Sequence, residues 1–176
     1  MRVFHKAKQF FRPSLNDLHD PWLMKDMDKA VTRITKAFDF EAAHALDGYD
    51  GKCQDIHGHS YHLETTYLGS PKTDKTISDC GMVVDFGDIK RIIKTEILTL
   101  FDHRLILRRD TRFKDLKAIN ERIRFVDYQP TCENMLIEIV EILKQQEPKG
   151  TKLIKGFLRE TANSYAQWNI EDNKNL

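Results

Sequence analysis

Alternation between apolar and polar positions sharpens after Ile34. Phe38, Phe40, Ala42 and His44 alternate with Asp39, Glu41 and Ala43, the period-two pattern of a half-buried strand. The run His57 to Leu68 (HGHSYHLETTYL) alternates in the same way and is rich in aromatic and β-branched residues, which predicts a second strand. A Gly- and Asp-rich connection, Asp47 to Lys52, separates the two and has the make-up of a functional loop. Gly69 to Ser78 reads as a turn region and Gly81 to Phe86 as a short extended run. Ile89, Ile92, Ile93, Ile97 and Leu100 then recur at helical spacing up to Phe101. A second helix is expected from Pro130, with Thr131 at its cap, Met135, Ile139, Ile142 and Leu143 on one side, and an end near Pro148 and Gly150. Lys152 to Glu160 and Ser164 to Ile170 read as a closing pair of strands. The order strand, strand, helix, helix, strand, strand implies an α+β domain, with a four-stranded antiparallel sheet carrying two helices on one face.

Residues 1 to 32 lack a clear period and hold Pro13 and Pro21, so they are expected to form an N-terminal extension. The domain itself is expected over 33–171, followed by a short tail, 172–176. The apolar runs are too short for a membrane span, and Met1 to Phe11 lacks the sustained apolar stretch of a secretory signal. Twenty-eight Lys and Arg nearly cancel 27 Asp and Glu, so neither a nucleic-acid nor an anionic-membrane partner is expected. Three cysteines, Cys53, Cys80 and Cys132, are an odd number without a CxxC pair. That argues against a disulfide framework and for a cytoplasmic setting.

His57 and His59 lie two apart in a predicted strand, so both imidazoles leave the same face. His44 sits on the inward face of the preceding strand, where pairing would bring it alongside. His62 has the opposite parity and should point away. An isolated HxH is more often two ordinary histidines on a half-buried strand than a metal site. A third histidine on the matching face, with the Cys53 thiol nearby, favours a metal, and zinc suits neutral imidazole ligands. Spacing leaves open whether Cys53 closes a structural four-ligand site or stands beside an open catalytic one.

Six blocks in order now carry a resemblance: FEAAHAL, GKCQDIHGHSYHLE, GMVVDFGDIK, FDHRL, PTCEN and RET. Together, from about Ile34 to Trp168, they resemble the pterin synthase family, which includes 6-pyruvoyltetrahydropterin and 6-carboxytetrahydropterin synthases. The resemblance implies a tunnelling fold (T-fold) that oligomerises into a barrel, with hexamers built from two trimers and sites assembled between subunits. It implies Zn2+ held by His44, His57 and His59, a catalytic thiol at Cys53, and an Asp-His couple at Asp102 and His103. Glu160 would serve both catalysis and pterin anchoring, while Thr131 and Glu133 match positions lining the pterin pocket. The implied substrate is 7,8-dihydroneopterin triphosphate. The ending ETANSYAQW looks more like the carboxy-producing, queuosine-pathway branch than the pyruvoyl-producing one. A noncatalytic zinc-stabilised oligomeric module is the alternative from another class.

The chemistry is coherent with those residue types. Rearranging a hydroxylated side chain requires proton abstraction beside oxygen, and a cation at those oxygens stabilises the developing charge. A dication also favours the thiolate of a neighbouring cysteine. A carboxylate beside an imidazole sets its tautomer and makes a proton relay. A carboxylate facing the guanidine-like edge of a pterin gains two charge-assisted hydrogen bonds. Cys80 and Cys132 are assigned to packing, Asp85 and Asp88 to capping the first helix. The charged stretch ILRRDTRFKDLK is expected to be a solvated surface segment, with Arg108 and Arg109 as candidate attractors of a triphosphate.

Overall fold

The computed structural model describes residues 30–118 and 120–174. Most of the expected N-terminal extension and the end of the tail therefore lie outside the described residues. Strand β1 (Thr32–His44) pairs antiparallel with β2 (His57–Gly69) along its whole length. Helix α1 runs from Phe86 to Phe101 as an α-helical start (Phe86–Ile92), a π-helical turn (Ile93–Leu98) and a last α turn (Thr99–Phe101). It leads into β3 (Arg104–Arg108), and a charged segment follows before β4 (Ile123–Val126). Helix α2 (Cys132–Lys144) and the antiparallel strands β5 (Thr151–Thr161) and β6 (Ser164–Asn169) complete the chain.

The sheet has six strands in the order β4-β3-β1-β2-β5-β6, not the expected four. It is also mixed, because β3 runs parallel to both β1 and β4. Of the two added strands, β3 overlaps the start of the stretch expected to be a solvated segment, and β4 lies where no element was expected. Their brevity and covered faces erase the alternation. Ile106 enters the main core, while Leu107 joins Ala45 and Ile123 in a second cluster with Phe113 and Leu116. Gly81 to Phe86, expected to be extended, instead contains a turn in which Gly81 takes a positive φ of 85°. Cys80 is exposed rather than packed.

One face of the sheet carries the main core: Phe40, Tyr61, Leu63, Tyr67 and Leu158 meet the buried sides of both helices. Ile89, Ile93, Ile97 and Phe101 are fully buried at strict four-residue intervals. In a pure α-helix, at 3.6 residues per turn, such a stripe drifts around the axis. The wider π turn reduces that drift and keeps the stripe on the sheet. Asp85 caps α1 by accepting from the Gly87 amide at 2.6 Å, as expected. A register shift between Thr66 and Tyr67 places Leu153 opposite Tyr67, so both side chains remain on the core face. Among the described residues no helix is long and apolar enough to cross a membrane.

Helix α2 lies directly on β5 at Gly156, where an added Cβ would come within 2.9 Å of Val140 Cγ2 and 3.1 Å of Leu136 Cδ1. Gly156→Val is therefore expected to destabilise the protein by about 1–3 kcal/mol through overpacking. Denaturant unfolding checks this; an unchanged midpoint would mean the helix can lift away without cost.

Candidate metal centre and adjoining cavity

Pairing of β1 with β2 puts His44 opposite His57 and Ala42 opposite His59. Phe40, Ala42 and His44 thereby share a face with His57, His59 and Tyr61. The three imidazoles converge, their ligand atoms all within 4.8 Å of one another. His44 Nε2 and His57 Nε2 are 3.1 Å apart. A tetrahedral zinc with Zn–N bonds of 2.0–2.1 Å would hold its nitrogens roughly 3.3 Å apart, close to this spacing.

Backbone carbonyls settle the tautomers. His44 Nδ1 donates to the Pro130 carbonyl at 2.6 Å, and His57 Nδ1 donates to the Asp55 carbonyl at 2.8 Å. A carbonyl only accepts, so the proton of each neutral ring sits on Nδ1 and a lone pair remains on Nε2. His59 Nε2 is buried and has no hydrogen-bond partner among the described residues. Two facing lone pairs and an orphaned third nitrogen are an unfavourable arrangement by themselves and a suitable donor set for a cation. Burial pushes the His44 imidazole below its ordinary pKa, against opposing pulls from the Pro130 hydrogen bond and Glu160; burial likewise lowers His59. Both shifts favour the neutral, ligating form.

Glu160 arrives from β5. Its Oε1 accepts from Tyr61 Oη at 3.2 Å and lies 3.4 Å from His44 Nε2 and 3.6 Å from His59 Nε2. Its carboxylate thus borders the histidines as well as a cavity of about 300 Å³ lined by His44, Tyr49, Cys53, Thr131, Glu133 and Glu160. Thr131 caps α2, its hydroxyl accepting from the Asn134 amide at 3.3 Å. The helix start therefore does two things, because the neighbouring Pro130 carbonyl orients His44. Cys53 is half-buried in a short 3-10 turn, Lys52–Gln54, and the close donor cluster contains the histidines without it.

The Asp-His couple is formed but stands elsewhere. Asp102 Oδ1 accepts from His103 Nδ1 at 2.8 Å and from the Glu41 amide at 3.1 Å, while the His103 amide donates to the Glu41 carbonyl at 2.6 Å. His103 takes a positive φ of 55° to make this turn. Its side chain borders a different cavity, about 690 Å³, with Glu41, Ser60, Arg104 and Arg122. Cys53 and His103 are thus not brought into one cavity of the same chain.

Several other expectations meet the structure directly. His62 points away and pairs with Asp39 at 2.6 Å. Cys132 is packed, donating to the Leu158 carbonyl at 3.2 Å; burial, with the charge of Glu160 adding, pushes its thiol up to about 12. Arg108 and Arg109 already face Asp110 and Asp127. Tyr49, Tyr61 and the two orienting carbonyls were not singled out from sequence. The parity of HGHSY would have placed Tyr61 on the histidine face, but nothing local marks Tyr49 or a particular carbonyl.

A model of the family described as 6-pyruvoyl tetrahydropterin synthase matches residues 33–171. The chain belongs to the 6-pyruvoyl tetrahydropterin synthase family. Within reach of the family's sequences, it is 35% identical over 141 residues to the 6-carboxy-5,6,7,8-tetrahydropterin synthase of Haemophilus influenzae, covering 77% of this chain and 97% of that one. It is 40% identical over 112 residues to the protein of the same name from Rickettsia typhi, covering 62% and 78%. The Caenorhabditis elegans 6-pyruvoyl tetrahydropterin synthase structure superposes with a TM-score of 0.58 at 26% identity, covering 80% of this chain and 96% of that chain.

The donor geometry leads to a direct test. Replacing His59, the histidine without a hydrogen-bond partner, by Ala is expected to reduce bound divalent metal at least tenfold, and a chelator should strip the wild-type protein. Metal analysis of dialysed protein checks both, and full stoichiometry in the variant would remove His59 from the ligand set.

Proposed function

We propose that this protein is a zinc-dependent 6-carboxy-5,6,7,8-tetrahydropterin synthase. It converts 7,8-dihydroneopterin triphosphate to 6-carboxytetrahydropterin, acetaldehyde and triphosphate, on the route to queuosine. The observation that carries the reading is the convergence of His44, His57 and His59 beside the cavity holding Cys53 and Glu160. The 6-carboxy name of relatives at 35% and 40% identity supports the carboxy branch over the pyruvoyl one.

In this reading, the catalytic domain is 33–171, flanked by the extension and the tail. His44, His57 and His59 would hold Zn2+, which when bound would supply positive charge to stabilise oxygens of the substrate side chain. Cys53 accepts a proton from the adjoining carbon. Glu133 and Glu160 meet the N–H edge of the pterin, and Thr131 holds the start of α2 against it. Glu160 also borders the histidines, so it links ring binding to the reacting end.

The Asp102–His103 couple serves a cavity of a neighbouring copy. Its exposed imidazole, 62% accessible, supports that assignment, as does its separation from Cys53 within one chain. A homohexamer made of two trimeric barrels is the assembly that the family resemblance suggests.

Two variants test this together. Cys53→Ala and His103→Ala are each expected to keep metal and assembly while losing at least a hundredfold in kcat. Refolding the two as a mixture should restore a fraction of wild-type turnover, because some cavities then contain both intact groups. Mass spectrometry of the product separates the branches. A pyruvoyl product without acetaldehyde selects the pyruvoyl synthase, and loss of metal and folding in Cys53→Ala selects a structural zinc module.

A further inference from the structure

The loop from Asp47 to Asp55 joins the strands that carry the histidines, and it holds both Tyr49 and Cys53 of the cavity. Its ends are tied by a residue from the charged segment between β3 and β4. The Arg112 amide donates to Asp47 Oδ2 at 2.6 Å, and its Nε lies 3.5 Å from Asp47 Oδ1. At the other end of the loop, Arg112 Nη2 donates to the Gln54 carbonyl at 3.0 Å and to Asp55 Oδ1 at 2.9 Å. One guanidinium therefore spans the loop. The Gln54 and Asp55 contacts adjoin Cys53 on one side and the carbonyl that orients His57 on the other.

The anchor is itself fixed. Thr111 is buried, 2% exposed, and Phe113 packs on the second cluster of Ala45, Leu107 and Ile123. Gln129 Nε2 adds a bond to the Asp47 carbonyl at 3.0 Å. The Asp47 carboxyl is held below its ordinary pKa, chiefly by the Arg112 amide. Arg112 is the arginine that can do this because a planar fork serves several acceptors at once, whereas an ammonium is a point donor. An exposed ion pair adds little to global stability. Holding a reacting group within a fraction of an ångström has far larger consequences for rate.

We infer that Arg112 is a positioning residue, a clamp from outside the cavity that sets the loop bearing Cys53. The inference rests on the reading of Cys53 as the reacting thiol, yet its tests include readouts independent of turnover. In the full-length, metal-loaded protein, Arg112→Ala is expected to lower kcat roughly ten- to a hundredfold. Metal content and unfolding midpoint should stay near wild type. Amide hydrogen exchange over 48–54 should speed up, and the alkylation rate of Cys53 by iodoacetamide, mapped by peptide mass so that exposed Cys80 is separated, should change. Arg112→Lys should fall between the two.

The clamp requires both effects. Unchanged exchange with lower kcat overturns it as a loop clamp, and faster exchange with unchanged kcat overturns it as a contributor to the reaction. If Arg112→Ala does not fold, Asp55→Ala removes one arm of the fork from an exposed side chain, and the same pair of criteria applies. Wild-type turnover by Cys53→Ala would overturn the thiol assignment alone and leave the exchange result to stand for the loop.

Discussion

The candidate metal centre depends on the register of β1 against β2. With His44 opposite His57, two ring nitrogens meet face to face across a strand pair, and His59 follows from the two-residue repeat of the same strand. A slip of one residue would send His57 and His59 to the other face, where His62 stands beside Asp39. That slip is opposed along the whole pairing, because it would also turn Tyr61, Leu63 and Tyr67 out of the core. The convergence of the three histidines is thus secured by apolar burial along the strands.

Two carbonyls complete the site. Pro130 and Asp55 lie in connections that are distant in sequence, yet each carbonyl accepts a hydrogen bond from the Nδ1–H of a histidine, His44 and His57 respectively, and leaves the lone pair on Nε2. Since the Pro130 carbonyl immediately precedes α2, docking of that helix on β5 and orientation of His44 are coupled. Close approach at Gly156 allows the docking. Stability of the outer layer and pre-organisation of the ligands are therefore one problem, solved by the same packing.

The remaining groups divide by face. Cys53, Thr131, Glu133 and Glu160 line the cavity beside the histidines. Asp102 and His103 sit at the entrance to β3, tied to Glu41 of the outward-facing alternation in β1. A single chain thereby presents the two groups of proposed site residues at different cavities. In the proposed reaction, assembly of copies brings such groups together, which makes oligomerisation a condition of catalysis rather than only of stability.

Local periodicity alone was sufficient for β1, β2, both helices, β5 and β6, and for the shared face of His57 and His59, because these depend on spacing of two or about four residues. Caps at Asp85 and Thr131 were legible from residue type, a short side-chain acceptor standing just before each helical run. Strands β3 and β4 were not, since five- and four-residue strands with both faces engaged show no alternation, and β3 also carries an arginine at each end. Nor did the string of residues indicate that Arg112 reaches Asp47 and Asp55, or which carbonyls hold the imidazoles. Arg112 lies 65 and 57 residues from Asp47 and Asp55, and Pro130 lies 86 from His44, so only the closed packing of sheet, helices and second cluster brings them within hydrogen-bond distance; the Asp55 carbonyl, two residues from His57, is aimed by the conformation of the connecting loop.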